Sequence, residues 1–268
     1  MRTIAHISDL HFGTEDPALE EALVEDLAAL APSVVAVSGD LTQRARESQF
    51  ASARAFLARL PAPRVVVPGN HDIPLFDVVR RFLSPLERYH RYIDPEADPF
   101  FHDEEIAVQG INTARSNTWK DGRISERQII ALRQRLCALP AGHFKVVVSH
   151  HPFAPPKRDP APPIVGRSLR ALEVAAECGV ELLLAGHLHE GYTVDVRTTH
   201  VSLRRSMIVA QAGTALSRRR RGEPNAYNVV TVDPPRLGVQ VRAWAGGRFA
   251  AAAATEFRKE GEEWRRQS

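Results

Sequence analysis

The sequence predicts an α/β fold, a parallel or mixed sheet with helices on its faces. Two observations predict it. Short apolar runs alternate with helically spaced segments through the first two-thirds of the chain. Beyond Gly186 the helical spacing stops and only strand patterns follow.

The elements follow in order. Thr3–Ser8 is a short apolar run, read as a buried strand that ends at Asp9. Leu19, Leu23, Leu27 and Leu30 give helical spacing over Pro17–Ala31. Ser33–Ser38 is a second strand, closed by Gly39-Asp40. Glu47–Leu60 is a second helix, and Arg64–Val67 a third strand before Pro68-Gly69. Leu75–Tyr92 reads as a helix broken at Pro85, and Asp94–Asp103 as a loop. Ile106–Ile111 is a strand. Ser125–Leu139 is a helix with Ser125 as N-cap and Gln128 three residues on. Phe144–Ser149 is a strand before His150. Pro155, Pro156, Pro160, Pro162 and Pro163 make residues 151–166 a loop over the site or a lid. Ser168–Cys178 is a helix with Gly179 just past its end, and Glu181–Ala185 a strand before Gly186-His187. Tyr192–Val196, Met207–Gln211, Tyr227–Val232 and Val239–Trp244 are strands, expected to form a second sheet from the C-terminal third. One domain over 1–268 is expected, with a charged, frayed tail from about Gly261.

Five strings sit just past the strand patterns. They are Asp9-Leu10-His11, Gly39-Asp40, Gly69-Asn70-His71-Asp72, Ser149-His150-His151-Pro152 and Gly186-His187-Leu188-His189. Each is weak alone, but all five together at strand ends point to one two-metal site. Two neighbouring cations need a bridging anion, and a carboxylate has two oxygens for it; Asp40 is the candidate. Asp9, His11 and His189 complete one site, and Asn70, His150 and His187 the other. In extended chain, His187 and His189 point to one side, as do Asp9 and His11. Oxygen and imidazole donors suit two divalent ions of Mn, Fe, Zn or Co. Spacing alone does not decide whether His150 or His151 turns inward. His71 is the candidate general acid; its rival role is a hydrogen-bond donor that orients phosphate. Asp72 is expected to accept from a ligand or the backbone. His6, inside the first strand, is read as a buried histidine outside the site.

These strings resemble the calcineurin-like metallophosphoesterases, over roughly residues 1–215. Within them Ile7-Ser8-Asp9-Leu10-His11, Pro68-Gly69-Asn70-His71-Asp72 and His150-His151-Pro152 are similar to the bacterial class III cyclic-nucleotide phosphodiesterases. The resemblance implies a four-layered α/β/β/α sandwich of two mixed sheets, with the binuclear site at the sheet ends. It implies a phosphodiesterase in which a metal-bridging hydroxide attacks phosphorus, with a cyclic nucleotide as one candidate substrate. Protein Ser/Thr phosphatases carry an acidic residue three positions after the bridging Asp; here it is Gln43. That departure argues against a protein phosphatase and leaves the partner of His71 unnamed. Rival readings are a sugar-nucleotide or lipid pyrophosphatase, which needs a hydrophobic slot such as Phe153 and the proline loop, or a phosphomonoesterase. A non-catalytic scaffold has no reason to keep the whole ligand set.

An anionic substrate needs positive charge near its oxygens. Arg44 and Arg115 are the substrate-binding candidates, and the Arg218–Arg221 run follows a glycine segment near the expected pocket. Trp119 could stack on a base or simply pack. Composition bounds the rest. The chain has 268 residues, 44% hydrophobic, with 35 basic against 32 acidic side chains. That balance does not suggest coating of nucleic acid, and no dedicated nucleic-acid-binding domain is read; the expected partner is a small phosphoester. No apolar run spans a bilayer and no leader segment is read at the N-terminus. Cys137 and Cys178 are read as buried free thiols, which with the missing leader suggests a cytoplasmic protein.

Overall fold

A computed structural model describes residues 1–156, 165–219 and 222–267. Its strands form two sheets. In the first, β1 (Arg2–Ile7), β2 (Val34–Ser38) and β3 (Arg64–Val67) run parallel. Here β10 (Ala226–Asp233), β11 (Arg236–Ala245), β12 (Arg248–Glu260) and β13 (Glu263–Arg266) extend it antiparallel from β1. The second sheet has the order β4 (Phe100–His102), β5 (Ile106–Ile111), β6 (Phe144–Ser149), β7 (Val180–Ala185), β9 (Ile208–Gln211) and β8 (Tyr192–Asp195). Its inner strands β5, β6, β7 and β9 are parallel, and its edges β4 and β8 antiparallel.

Strand period 2 sorts the side chains into three cores. Val34 and Ala36 of β2 face the other sheet, against Val108, Val146 and Leu184. Val35 and Val37 face α1 (Pro17–Leu30) and α2 (Glu47–Arg59), against Leu23, Leu27 and Phe56. Val147 and Leu183 face α5 (Glu126–Leu136) and α6 (Ser168–Glu177), against Leu132 and Leu172. Three cores between four layers are the α/β/β/α sandwich. Strands buried on both faces also explain why the N-terminal runs are continuously apolar rather than alternating. The helix caps follow local chemistry. Ser125 accepts from the Gln128 backbone N–H at 3.2 Å, and Gln128 Oε1 accepts from Ser125 N at 2.9 Å. The Leu75–Tyr92 stretch divides into α3 (Val78–Leu83) and α4 (Glu87–Tyr92) on either side of Pro85.

Four expectations are corrected. Of the four C-terminal strands expected in the second sheet, Tyr192–Asp195 (β8) and Ile208–Gln211 (β9) do lie there, but β10 and β11 extend the first sheet, because β10 pairs antiparallel with β1. Asp94–Asp103 is not all loop: β4 pairs with β5. Within the tail, Glu263–Arg266 are not frayed but pair with β12 as β13. Trp264 on β13 is 4% exposed, its Nε1 donates to Glu181 Oε2 at 2.7 Å, and its ring meets Phe144 edge-on. A charged tail anchored by one aromatic looks solvent-bound in sequence because the aromatic has no apolar neighbours. Cys137 and Cys178 are not free thiols but a disulfide, with Cα atoms 4.4 Å apart. They are the C-cap residues of α5 and α6, which lie side by side. The thiol argument for a cytoplasmic site therefore lapses. Among the described residues, no helix is long and apolar enough to cross a membrane.

Two outcomes are expected. Trp264→Ala lowers the unfolding free energy by about 3 kcal/mol, the usual cost of emptying a large aromatic site; urea unfolding followed by circular dichroism reads it. Thiol titration of unreduced protein in denaturant finds no free sulfhydryl, and two after reduction.

Candidate metal centre

The loops after β1, β2, β3, β6 and β7 meet at one end of the two sheets. Pairing continues past the strands and fixes their relation: Asp9 N donates to Gly39 O at 3.1 Å, and His11 N to Asp40 O at 2.9 Å. Gly186 N donates to His150 O at 3.0 Å. Asp9, His11, Asp40, His187 and His189 all take positive φ, between 48° and 78°. Asp and His tolerate that region better than most residues, and such backbone survives only where neighbours hold it. Two glycines admit this crowding. A Cβ on Gly69 would lie 2.2 Å from Asp40 Oδ1, and one on Gly186 only 1.8 Å from Ser8 Oγ and 2.7 Å from Asp9 Oδ2.

The side chains form two adjoining groups. In the first, His11 Nε2 lies 3.4 Å from His189 Nε2, 3.7 Å from Asp9 Oδ1 and 3.6 Å from Asp40 Oδ2. In the second, His150 Nε2 lies 3.1 Å from Asn70 Oδ1, 3.2 Å from His187 Nδ1 and 3.3 Å from Asp40 Oδ1. Asp40 turns one carboxylate oxygen to each group. Four donors around a cation at about 2.1 Å stand about 3.4 Å from one another in tetrahedral geometry. The distances from His11 Nε2 and His150 Nε2 to their neighbours, 3.1 to 3.7 Å, lie around that spacing. Asp9 Oδ1 supplies a second sign: it is buried and has no hydrogen-bond partner. The residues therefore fit a pair of divalent ions.

The outer contacts aim the donors. His150 Nδ1 donates to Ser38 O at 2.8 Å, and His189 Nδ1 to Arg219 O at 2.7 Å, so each Nε2 is turned inward. Ser8 Oγ and the His187 backbone N–H donate to Asp9 Oδ2 at 2.6 and 3.0 Å, leaving Oδ1 bare. Burial alone would discharge these groups, yet they offset one another. Burial works against charge on His150, but the Asp40 carboxylate outweighs it and lifts the imidazole to about 9. Burial also opposes the Asp40 charge, and His150 in turn holds that carboxyl well below its usual range. Burial, with His150 beside it, drops His187 to about 3. Asp72 accepts from the backbone N–H of Leu41, Thr42 and Gly69 and ties the second loop to the third. Burial and nearby Asp40 raise it to about 6.

The structure places His150 in the cluster and His151 beside it. Both His151 ring nitrogens are engaged, Nδ1 with Thr113 Oγ1 at 2.7 Å and Nε2 with Lys120 O at 2.8 Å. His6 is fully buried, lies 2.9 Å from Ser38 Oγ, and is held neutral by burial, at about 3. His71 is half-buried at the edge of the first group, its ring 4.9 Å from His11. Arg219 Nη1 stands 3.1 Å from His71 Nε2 and can only donate, so the ring proton is on Nδ1, which donates to Gln43 O at 2.9 Å. The unnamed partner of His71 is thus a backbone carbonyl. Arg44 Nη1 stands 3.3 Å from Nδ1 and, since Nδ1 carries the proton, donates instead to Gln43 O at 3.0 Å. Arg115 is a correction. Its guanidinium donates to Asn112 O, Ala114 O and Gln128 Oε1, and it lines a separate depression with Asp98 and Ser125. It holds the cap of α5 rather than facing the cluster. Arg219 was the stronger candidate, visible in sequence only as one of four consecutive arginines; Arg220 and Arg221 lie outside the described residues. Phe153 is 1% exposed and belongs to the core, so it offers no slot, and residues 157–164 of the proline loop lie outside the described residues.

A family model described as "Calcineurin-like phosphoesterase" matches residues 2–191. The glycerophosphodiester phosphodiesterase GpdQ of Enterobacter lignolyticus is 35% identical over 80 residues, 26% of this chain and 29% of that protein. The fold is similar to that of a purple acid phosphatase of yellow lupin (Lupinus luteus), with TM-score 0.66 and 12% identity over 95% of this chain and 53% of that one. It is similar also to a dimetal phosphatase of Danio rerio, with TM-score 0.64 and 14% identity over 93% and 98%. The chain thus spans under a third of the curated relative and about half of the lupin structure.

Gly186→Ala tests the crowding. The added methyl must displace Ser8 or Asp9, so the substitution is expected to cost about 2 kcal/mol of stability, as overpacking usually does; urea unfolding of the metal-free protein reads it.

Proposed function

The chain belongs to the calcineurin-like phosphoesterases, and on that premise we propose that it is a metal-dependent phosphodiesterase. Asp9, His11, Asp40 and His189 would hold one ion, and Asp40, Asn70, His150 and His187 would hold the second. The observation that carries this reading is the Asp40 carboxylate, with one oxygen 3.6 Å from His11 Nε2 and the other 3.3 Å from His150 Nε2. Divalent ions bound there supply charge for the phosphoryl oxygens and an activated water. Mn, Fe, Zn and Co all accept this oxygen and imidazole set.

The chain's own groups do the rest. His71, Arg44 and Arg219 share the mouth of a cavity over Asn70. Arg219 and Arg44 are placed to take the non-bridging oxygens. A phosphate that draws Arg219 away frees His71 Nε2, and its negative charge raises the proton affinity of that ring. Burial otherwise lowers it. His71 then delivers a proton to the leaving oxygen from Nε2, while Gln43 O holds Nδ1–H and fixes the ring. Asp72 keeps His71 and Asp40 in one frame through the Leu41 and Thr42 amides.

The test pairs two variants. His71→Ala is expected to retain both ions by elemental analysis. It should lose about 100-fold in rate on a diester with an alkyl leaving group, and under about tenfold on bis(p-nitrophenyl) phosphate, whose phenolate leaves unprotonated. Equal losses remove the proton-donor role. Asp40→Ala should instead fail to retain the pair of ions. No turnover of bis(p-nitrophenyl) phosphate by the manganese-loaded wild type would overturn the enzymatic reading itself. A cyclic nucleotide, the substrate class of the bacterial diesterases its motifs resemble, is one arm of the substrate screen.

A further inference from the structure

The segment just after the metal loop is built inside out. In α3 the buried side chain is Arg81, at 4% exposed, while Val78, Val79, Phe82 and Leu83 are between 59% and 81% exposed. Phe76, just ahead, is 80% exposed. A surface helix ordinarily buries its apolar stripe, so a solvent-facing one marks a binding surface. The inversion is held in place. Arg81 donates to the carbonyls of Pro74 at 2.9 Å, Ser116 at 2.8 Å and Thr118, which fastens α3 to the loop carrying Trp119 and Lys120. Its guanidinium carbon lies 5.2 Å from the centre of the Trp119 ring, and that ring is 68% exposed.

The apolar face begins where the cavity ends. Ile73, Leu75 and Trp119 line the cavity with Asn70 and His71, and Phe76 follows Leu75 directly. The cavity holds ≈ 230 Å³. Ligand pockets for drug-sized molecules start at about 300 Å³, so a diester with a long arm cannot lie wholly inside. Arg44, Lys120 and Arg219 place positive charge at the same mouth, matched to a phosphate and not to the arm. Positive mouth and apolar shelf, adjacent in the chain at Leu75-Phe76, complement an amphiphile.

We propose that this shelf seats the acyl or alkyl chain of an amphiphilic phosphodiester substrate, whose phosphate lies at the histidine cluster. The inference rests on the phosphodiesterase reading and adds the substrate class. It makes Phe76, Val79 and Leu83 specificity-determining residues, with Arg81 positioning them.

The test compares glycerophosphocholine with its single-chain acylated form below the micelle concentration, so that both are monomeric diesters with one headgroup. The manganese-loaded wild type should show kcat/KM at least about tenfold higher on the acylated diester, as burial of a few methylenes allows. A variant with Phe76→Ser, Val79→Ser and Leu83→Ser should bring that ratio close to one; these side chains are exposed, so the fold is not at stake. Equal kcat/KM on the pair in wild type overturns the inference. So does a wild-type dimer, seen by sedimentation, that the variant dissolves, since a second copy of the chain then covers the shelf. A binding arm avoids turnover by using metal-free protein: calorimetry with dodecylphosphocholine below its micelle concentration should show at least tenfold weaker affinity in the variant, and equal affinities overturn the inference. If no diester is turned over, including bis(p-nitrophenyl) phosphate, the phosphodiesterase reading falls and the calorimetry alone decides whether the shelf binds an apolar chain.

Discussion

One carboxylate organises this end of the molecule. Asp40 turns Oδ2 to His11 and Oδ1 to His150, and Oδ1 also accepts from the His71 backbone N–H at 2.9 Å. A fully buried charge is costly unless paired. Here the compensation comes from imidazoles on three other loops, so the loops cannot be placed independently. Each of those loops leaves a strand whose both faces are buried, and the rigidity of the two sheets is what brings the five ends together.

The cost is carried in the backbone. Five non-glycine residues of the cluster sit at positive φ, each worth about 1–3 kcal/mol when held there. The layers behind them supply the restraint: three apolar cores, and the Asp72 side chain binding three backbone amides at once. The result is a site strained and charged in isolation, whose donor spacing matches what a pair of cations accepts.

The parallel strands and their helices were legible because their signals are local and both-face burial writes continuous apolar runs. β12 was not. Its run Ala250–Ala254 is small and mostly exposed, with no alternation to read, although the Gly246-Gly247 pair before it is a hairpin signal and both glycines take positive φ. Sheet membership was misread for a similar reason: nothing in β10 announces that its partner is β1, some 220 residues away. At the site, residue types at strand ends sufficed to nominate seven side chains that the fold gathers into two groups. Arg115 and Arg219 were not separable, since arginines on loops look alike until their carbonyl partners are known. The Cys137–Cys178 pair was hidden the same way, in two helix ends 41 residues apart that only packing brings together.

The central claim is that Asp40 joins two ions. Electron paramagnetic resonance of protein titrated with Mn(II) tests it most directly. Two bound ions per chain with an exchange-coupled spectrum is the expected result. A single isolated Mn(II) signal at saturation, or no tight binding, would contradict it.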